Sequence, residues 1–251
     1  MTKIFHKCSL LVIAALILSV GQVFAQKTYL VAVGLTDYDK EKNSLPCSTR
    51  DAQSIASFFK KYNNSDVFVL LDGNATRDHI MRVLNNKFSQ ATEKDQIIFA
   101  YSGHGFDGGV TTYNMDNEPI FCSEIQEIMR KSKAKSKMMF IMSCHSGSFA
   151  KDYSRNPNNR DYRSNDSNVL LYMSSRPDES SWETPYMNNS FFFDRLLKAF
   201  NGAADANGDR KVTARELFNY VNKYVPIDSY GMQHPQMYGR FPDDLVVVNL
   251  R

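Results

Sequence analysis

The sequence predicts a single α/β domain built on a mostly parallel sheet of about six strands with helices on both faces. Continuous apolar runs alternate along the chain with amphipathic stretches of helical period. This alternation is typical of parallel strands that are buried on both faces and joined by helices. Neither an internal repeat nor a clear domain linker interrupts the pattern, and 43% of the 251 residues are hydrophobic. We therefore expect one core rather than several domains.

The predicted elements follow one another in a regular order. The apolar runs predict strands over Tyr29–Val33, Val67–Leu71, Gln96–Tyr101, Met138–Met142, Val169–Met173 and Leu245–Leu250. The amphipathic stretches predict helices over Asp51–Tyr62, Thr76–Phe88, Ser123–Lys131, Phe191–Phe200 and Thr213–Tyr224. The last helix opens with the capping pair Thr213 and Glu216. Two loops are expected on either side of the fifth strand, over 147–168 and 174–189.

Residues 1–25 have the features of a secretory signal. Two lysines precede an apolar run from Leu10 to Val20, and small residues follow it before Gln26. The run is shorter than the roughly 20 residues that span a bilayer comfortably. We therefore expect a cleaved signal peptide over 1–25, a mature domain over 26–251 with no membrane span, and a secreted or periplasmic protein.

The charge of the chain excludes one class of partner. There are 30 Lys and Arg residues against 27 Asp and Glu residues, which gives a formal charge of +3. No concentrated basic footprint of the kind that holds a nucleic acid is present in the sequence. We therefore expect no nucleic-acid partner, and the sequence does not predict an oligomeric state.

The number of cysteines indicates that at least one free thiol is available as a candidate nucleophile. Removal of the leader leaves Cys47, Cys122 and Cys144, so in an oxidising compartment at least one thiol has no partner within the chain. Cys47 and Cys122 have neither His-rich surroundings nor the CxxC spacing of zinc and redox sites. No protein-bound metal is therefore predicted from the cysteines.

Two predicted strands end in unusual turns that contain a histidine and a cysteine. The strand Gln96–Tyr101 runs into Ser102-Gly-His104-Gly, and the strand Met138–Met142 runs into Ser-Cys144-His-Ser-Gly. Ligand sites in open parallel sheets lie outside the carboxyl ends of the strands, so adjacent strands would bring imidazole and thiol to one rim. A nearby histidine activates a thiol by taking its proton. We expect Cys144 to be a nucleophile and His104 its acid and base.

Residues next to the pair have expected roles in the turns. Gly105 allows a sharp turn and leaves space for a substrate chain. The turn that contains His145 is expected to direct backbone N–H groups at a developing oxyanion. His145 is the competing partner of Cys144, but neighbouring residues of an extended chain point in opposite directions, which favours His104. The plainer alternative is a buried cysteine and an unrelated loop histidine.

These two boxes resemble the His and Cys boxes of the caspase-like cysteine peptidases, and of the metacaspase branch in particular. The resemblance extends from Tyr29 to Leu250. It implies a caspase-type three-layer sandwich around a six-stranded sheet, a thiol peptidase mechanism, and protein or peptide substrates. It implies no required cofactor, although metacaspases are commonly activated by calcium at a site that this sequence does not locate. The alternative within the family is a catalytically inactive binding or regulatory module.

The resemblance also indicates where a specificity pocket would lie. Metacaspases usually carry an acid two residues before the nucleophile, where this chain has Met142. Asp51, in a stretch similar to the family's Asn-Asp-Ala, is the first candidate for the pocket. The segment ending in Trp182 and Glu183 resembles the caspase Ser-Trp-Arg, with the charge reversed. An acid there fits a basic substrate residue, and Trp182 would wall the neighbouring subsite. Asp178 is a weaker candidate.

Solvent-exposed loop carboxylates remain the alternative for all three acids.

Two further segments have alternative interpretations. The loop 147–168 carries Lys151, Arg155, Arg160 and Arg163, so it is either a site of self-cleavage by an Arg-preferring enzyme or a simple surface loop. The segment 205–216 resembles a calcium loop with oxygen ligands at positions 1, 3, 5 and 12. Arg210 occupies the sixth position, which usually requires Gly, so a plain turn is favoured there.

A nucleotide-binding protein is a weaker rival from another class. The turn after the first strand, Gly34–Asp37, has neither of the glycine-rich phosphate-binding patterns.

Overall fold

The computed structural model describes residues 26–42, 45–61, 64–149, 169–239 and 241–250. The strands in these residues are β1 (Thr28–Gly34), β2 (Ser65–Leu71), β3 (Gln96–Ser102), β4 (Gly105–Phe106), β5 (Gly109–Thr112), β6 (Met115–Phe121), β7 (Ser136–Met142), β8 (Val169–Met173), β9 (Lys211–Thr213), β10 (Gln236–Tyr238) and β11 (Val246–Asn249). The α-helices are α1 (Ser48–Lys60), α2 (Arg77–Ser89), α3 (Cys122–Lys131), α4 (Phe191–Lys198) and α5 (Ala214–Asp228).

A six-stranded sheet forms the centre of the fold, in the order β10-β8-β7-β3-β1-β2. The pairs among β2, β1, β3, β7 and β8 are all parallel, and β10 adds an antiparallel edge. Both faces of the parallel strands are covered, which is why their sequences are continuous apolar runs rather than alternating ones. The predicted mostly parallel sheet is confirmed.

Helices pack on both faces of this sheet and produce two cores. In β3, Phe99 and Tyr101 face the core that contains α2 and α3. The intervening residues Ile98 and Ala100 face the core that contains α1, α4 and α5. Successive side chains of a strand point to opposite faces, so one strand contributes to both cores. The predicted three-layer α/β sandwich is confirmed.

The sixth strand of the sheet differs from the prediction. The predicted strand Leu245–Leu250 forms as β11, but it pairs with β9 in a separate two-stranded sheet. The edge of the central sheet is instead β10, which pairs with β8. β10 has only three half-buried residues and no apolar run, so no pattern in the sequence indicated it.

A small antiparallel sheet was also missed. Strands β4, β5 and β6 form it directly after the His104 turn, in the order β4-β5-β6. Its strands are short and partly polar, so they carry no strong period. The helices were predicted to within four residues at either end, and Thr213 and Glu216 form the predicted capping box of α5. No helix in the described part of the chain is long and apolar enough to cross a membrane.

Candidate active site

The His104 and Cys144 turns lie side by side at the carboxyl edge of the sheet. β3 and β7 pair in parallel with Ser102 opposite Met142, so both strands end at the same level. The backbone N–H of Gly103 donates to the carbonyl oxygen of Met142 at 3.1 Å. The adjacency that the sequence analysis required of these two strands is therefore confirmed.

The two turns are in close contact at Gly105. A Cβ atom on Gly105 would lie 2.5 Å from Ser143 Oγ and 2.9 Å from the carbonyl oxygen of Cys144. Real Cβ atoms do not approach other atoms so closely, so any larger residue would push the turns apart. This is the physical reason for a glycine after His104, and it lies in the packing of one turn on the other.

His104 is held on its backbone side by two buried tyrosines. Its N–H donates to the Tyr38 hydroxyl oxygen at 2.7 Å, and its carbonyl oxygen accepts from the Tyr101 hydroxyl at 2.8 Å. The Tyr38 ring also packs against the imidazole, with centroids 5.0 Å apart. Burial lowers the pKa of His104, and the nearby Glu41 carboxylate partly opposes that change. A lowered pKa keeps the imidazole neutral at pH 7, as a base must be.

Cys144 is the accessible thiol of the described cysteines. Cys47 and Cys122 are completely buried, whereas Cys144 is partly exposed, and all three are free thiols. A reagent or substrate from solvent therefore meets Cys144 first.

The neighbouring His145 is directed elsewhere. Its ring nitrogen Nδ1 lies 2.8 Å from the carbonyl oxygen of Pro177, and its N–H donates to the carbonyl oxygen of Glu179 at 3.0 Å. The backbone of His145 is left-handed, with φ of 59°. The ring is anchored to the loop after β8, which favours His104 as the partner of Cys144. An oxyanion contact from the N–H of His145 would require its bond to Glu179 to open.

Hydrogen bonds among serines tie the Cys144 turn to the loop after β8. The Ser143 carbonyl oxygen accepts from Ser181 Oγ at 2.8 Å, and the N–H of Ser143 donates to Ser174 Oγ at 3.2 Å. Ser146 Oγ lies 3.2 Å from both Ser174 Oγ and Ser175 Oγ. These serines were not predicted from the sequence, although the pair Ser174 and Ser175 directly follows a buried strand at the same edge.

Glu179 joins the same region to the segment before β10. Its carboxylate accepts from the N–H of His234 at 2.9 Å and lies 2.8 Å from that residue's Nδ1. Its backbone carbonyl accepts from His145, as described above. Glu179 was not a candidate from the sequence, because its contacts are to residues distant along the chain.

Asp51 is completely buried in the first turn of α1. Its two oxygens accept four hydrogen bonds, from Ser102 Oγ, Asn189 Nδ2, Ser190 N–H and Ser190 Oγ, at 2.7–3.0 Å. Burial raises its pKa to about 6 despite these bonds. Asp51 thus ties α1 to the end of β3 and to the start of α4, and both its oxygens are already engaged.

Glu183 lies beside Asp51 but has a free acceptor. Its Oε2 accepts from the N–H of Cys47 at 3.3 Å. Its Oε1 is inaccessible to solvent and has no hydrogen-bond partner among the described residues. Burial, reinforced by the charge of Asp51, raises the pKa of Glu183 to about 7. The structure therefore brings together two of the acids that the sequence singled out, and one oxygen of Glu183 has no partner among the described residues.

The other specificity candidates occupy different environments. Trp182 is 41% exposed, and its backbone N–H donates to Gln233 Oε1 at 2.9 Å. Asp178 is exposed. It lies in a turn in which the N–H of Glu179 donates to the carbonyl oxygen of Arg176. Met142 is buried in the core that contains α1 and α4, at the position where metacaspases usually carry an acid.

In the calcium-like loop, side-chain oxygens accept hydrogen bonds from the backbone N–H groups of the same loop. Asp205 accepts from the N–H groups of Gly208 and Arg210, and Asp209 accepts from Lys211. Arg210 has a φ of 63°, the left-handed conformation that glycine usually supplies there. Among the described residues, no three His, Cys, Asp or Glu side chains are placed to hold a metal ion. The arginine-bearing loop proposed for self-cleavage lies, from residue 150 to 168, outside the described residues.

Comparisons with known proteins agree with this architecture. The family model of the caspase domain, a peptidase C14 family, matches residues 27–246. The crystal structure of protein GSU0716 from Geobacter sulfurreducens aligns with a TM-score of 0.65 at 19% identity, covering 90% of this chain and 100% of that one. At that identity the likeness shows a shared fold alone. A search of curated proteins found no match.

Proposed function

Because the chain belongs to the caspase domain family of cysteine peptidases, we propose that it is an endopeptidase that cuts after Arg or Lys with Cys144 as nucleophile. The observation that carries this proposal is the contact between the two turns, with Met142 accepting from Gly103 just before the accessible thiol. The turns place a histidine and a cysteine at one sheet edge, as a thiol peptidase needs.

The reaction follows from the chemistry of these groups. His104 takes the proton from the Cys144 thiol, and the sulfur attacks the carbonyl carbon of the bond to be cut. Backbone N–H groups at Gly105 and in the Cys144 turn are proposed to stabilise the oxyanion. His104 then gives its proton to the leaving amine, which leaves a thioester. His104 then takes a proton from water, and the hydroxide attacks the thioester carbonyl carbon. The C–S bond breaks to release the acid product, and His104 returns the proton to the Cys144 thiolate.

The preference for a basic residue rests on the acids beside this edge. Glu183 Oε1 is buried without a partner among the described residues, and an unsatisfied buried carboxylate oxygen costs free energy until it is paired. An Arg or Lys side chain would supply that partner. Because Oε1 is inaccessible to solvent, this contact requires the segment that covers it to move when substrate binds. Asp51 has no free acceptor, so it is expected to act through its charge, and Trp182 is proposed to wall the adjacent subsite.

Asp178 remains a weaker candidate, because its exposed position equally fits a solvated loop carboxylate.

The remaining expectations belong to the same proposal. The leader over 1–25 would export the protein to a secreted or periplasmic location, and an Arg-preferring enzyme would cut itself between 147 and 168. Calcium activation rests on family resemblance alone, so no step of the reaction is derived through calcium.

The test is hydrolysis of fluorogenic peptides ending in Arg, Lys, citrulline or Asp by the mature chain, under reducing conditions, with and without calcium. Cys144→Ala and His104→Ala should abolish cleavage, whereas Cys122→Ala, which removes a buried thiol elsewhere, should retain it if the variant stays folded. Cleavage after Asp would refute the basic preference. No cleavage by a folded protein, whether intact or cut between 147 and 168 by an added protease, would instead support the inactive binding module.

A further inference from the structure

The turn after β1 presents two side chains to His104. Its backbone is closed by a hydrogen bond from the N–H of Tyr38 to the carbonyl oxygen of Glu41. Tyr38 is completely buried beneath the imidazole, with the two rings inclined by 31°. Glu41 places Oε2 3.6 Å from His104 Nε2, and its side chain is 52% exposed. One closed turn therefore contacts the histidine at a face and at an edge.

We propose that Glu41 is a positioning residue for His104, binding the Nε2 edge of the imidazole so that Nδ1 is the nitrogen that takes the Cys144 proton. This proposal deepens the proposed function and rests on it. A carboxylate at one ring nitrogen selects the tautomer with the proton there, which leaves the other nitrogen as base. It also stabilises the imidazolium formed when the thiol is deprotonated.

The distance of 3.6 Å is suited to an ion pair and is longer than a hydrogen bond. Such contacts often shorten only when substrate binds. Glu41 and His104 line a common cleft of about 510 Å³ together with Gly105, Phe106 and Thr111. A substrate chain in this cleft would exclude water from the pair, and exclusion of water strengthens the interaction between the carboxylate and the imidazolium.

The two tyrosines that contact His104 are neutral at pH 7. Burial raises the pKa of Tyr38 to about 12, and it raises the pKa of Tyr101 well above its ordinary value. The Lys42 ammonium lies over the Tyr113 ring, 5.8 Å from its centroid. The reacting thiol approaches from the β7 turn. Glu41 is thus the charged group that acts on the imidazole in this part of the described structure.

The same turn offers a matched control. Asp39 is exposed two residues before Glu41, so Asp39→Asn removes an equal charge from the same turn without touching the contact with His104. We expect Glu41→Gln and Glu41→Ala to lower kcat about threefold to tenfold with KM little changed, because the variants lose positioning rather than substrate binding. Asp39→Asn should match wild type. Equal kcat for Glu41→Gln and Asp39→Asn would overturn the proposal.

A second measurement does not depend on peptidase activity. In the Cys144→Ala background, which cannot cut itself, the pKa of His104 is followed by NMR of its ring protons, assigned with His104→Ala. We expect Glu41→Gln to lower that pKa by about 0.5 or more, since a nearby carboxylate favours the charged imidazole. Asp39→Asn should lower it by less. An unchanged pKa in Glu41→Gln would refute the contact even if the enzyme is active. A lowered pKa in a protein without activity would support the contact and refute only the peptidase.

Discussion

Asp51 and Glu183 are two acids of one buried region with different hydrogen-bond environments. Asp51 accepts four hydrogen bonds, so a substrate cation would have to displace one of its donors. Glu183 has one oxygen engaged with Cys47 and one without a partner among the described residues. At the scale of single residues, Glu183 is therefore the expected direct contact for a basic substrate, and Asp51 is expected to hold the surrounding segments in place.

The ionisation of Glu183 should control the preference for a positive charge. Its pKa is raised to about 7, so it is mostly neutral at pH 6 and mostly charged at pH 8. The ratio of kcat/KM for Arg over its uncharged analogue citrulline should therefore rise over this range, by up to about tenfold. Glu183→Gln should abolish both the rise and most of the preference. Glu93→Gln is the control, because Glu93 is an exposed acid just before β3, at the edge of the sheet opposite the site.

A ratio that is independent of pH in wild type, or unchanged in Glu183→Gln, would assign the preference to another group. Using the ratio cancels the pH dependence of the chemical step, because both substrates would react at the same proposed pair.

Asp51→Asn should destabilise the fold. An amide at this position has one acceptor oxygen where four donors converge, and its NH₂ group would oppose the donors Ser190 N–H and Asn189 Nδ2. We expect a loss of about 2–4 kcal/mol in the free energy of unfolding, measured by denaturant titration. The exposed Asp178→Asn should change it by less than about 0.5 kcal/mol. Equal stabilities for the two variants would show that Asp51 is dispensable to the fold.

At the scale of elements, the site depends on how closely the turns after β3 and β7 approach. Parallel pairing brings both strands to the same level, and the hydrogen bond from Gly103 to Met142 continues the contact beyond the sheet. Neither turn has much apolar area to bury. Backbone contact therefore sets their separation, and the side chains allowed at the contact are correspondingly restricted.

Gly105→Ala should separate the turns. The added Cβ would lie 2.5–2.9 Å from Ser143 and the carbonyl oxygen of Cys144, so one turn must shift. A displacement of 1 Å at a reacting centre lowers the reaction rate on the order of 100-fold, so we expect kcat/KM to fall about 100-fold. The loss of unfolding free energy should stay within about 1–3 kcal/mol. Gly73→Ala is the control, since the nearest atom to its Cβ is 3.8 Å away.

If Gly105→Ala kept wild-type kcat/KM, the spacing of the two turns would not matter to the reaction. Melting curves of both glycine variants would separate a catalytic defect from unfolding.

At the scale of the whole molecule, the central sheet contains strands from both sides of the proposed site of self-cleavage. β7 precedes and β8 follows the segment 147–168, and the two strands pair in parallel from Lys137 opposite Val169 to Ile141 opposite Met173. Both cores contain residues from both sides of this segment, such as Phe140 and Tyr172, whose rings stack 5.1 Å apart. A cut in this segment would break the chain but leave every one of these contacts intact.

We therefore expect a nicked protein to remain one particle. Denaturing electrophoresis should resolve two fragments, whereas size-exclusion chromatography without denaturant should show a single peak at the mass of the uncut chain. Cys144→Ala should remain uncut if the cleavage is its own. Fragments that separate without denaturant would show that the sheet does not hold the two halves together.

The sequence by itself determined the parallel part of the architecture and the proposed catalytic pair. Strands buried on both faces require continuous apolar runs, and helices on a sheet require an apolar stripe, so both leave periods that can be seen locally. The boxes around His104 and Cys144 combined reactive residues with glycines at strand ends, which is also a local pattern. The five parallel strands, the two layers of helices and the family follow from these signals.

Only the tertiary structure decided the hydrogen-bond partners of the proposed specificity residues. Asp51 accepts from Ser190, 139 residues away, and Glu183 accepts from Cys47, 136 residues away. The contact of Glu41 with His104 likewise joins a loop after β1 to a turn after β3. Periodicity reports whether a residue is buried and not which distant residue it meets. The saturation of Asp51, the free oxygen of Glu183 and the choice of β10 as edge strand therefore required the folded chain.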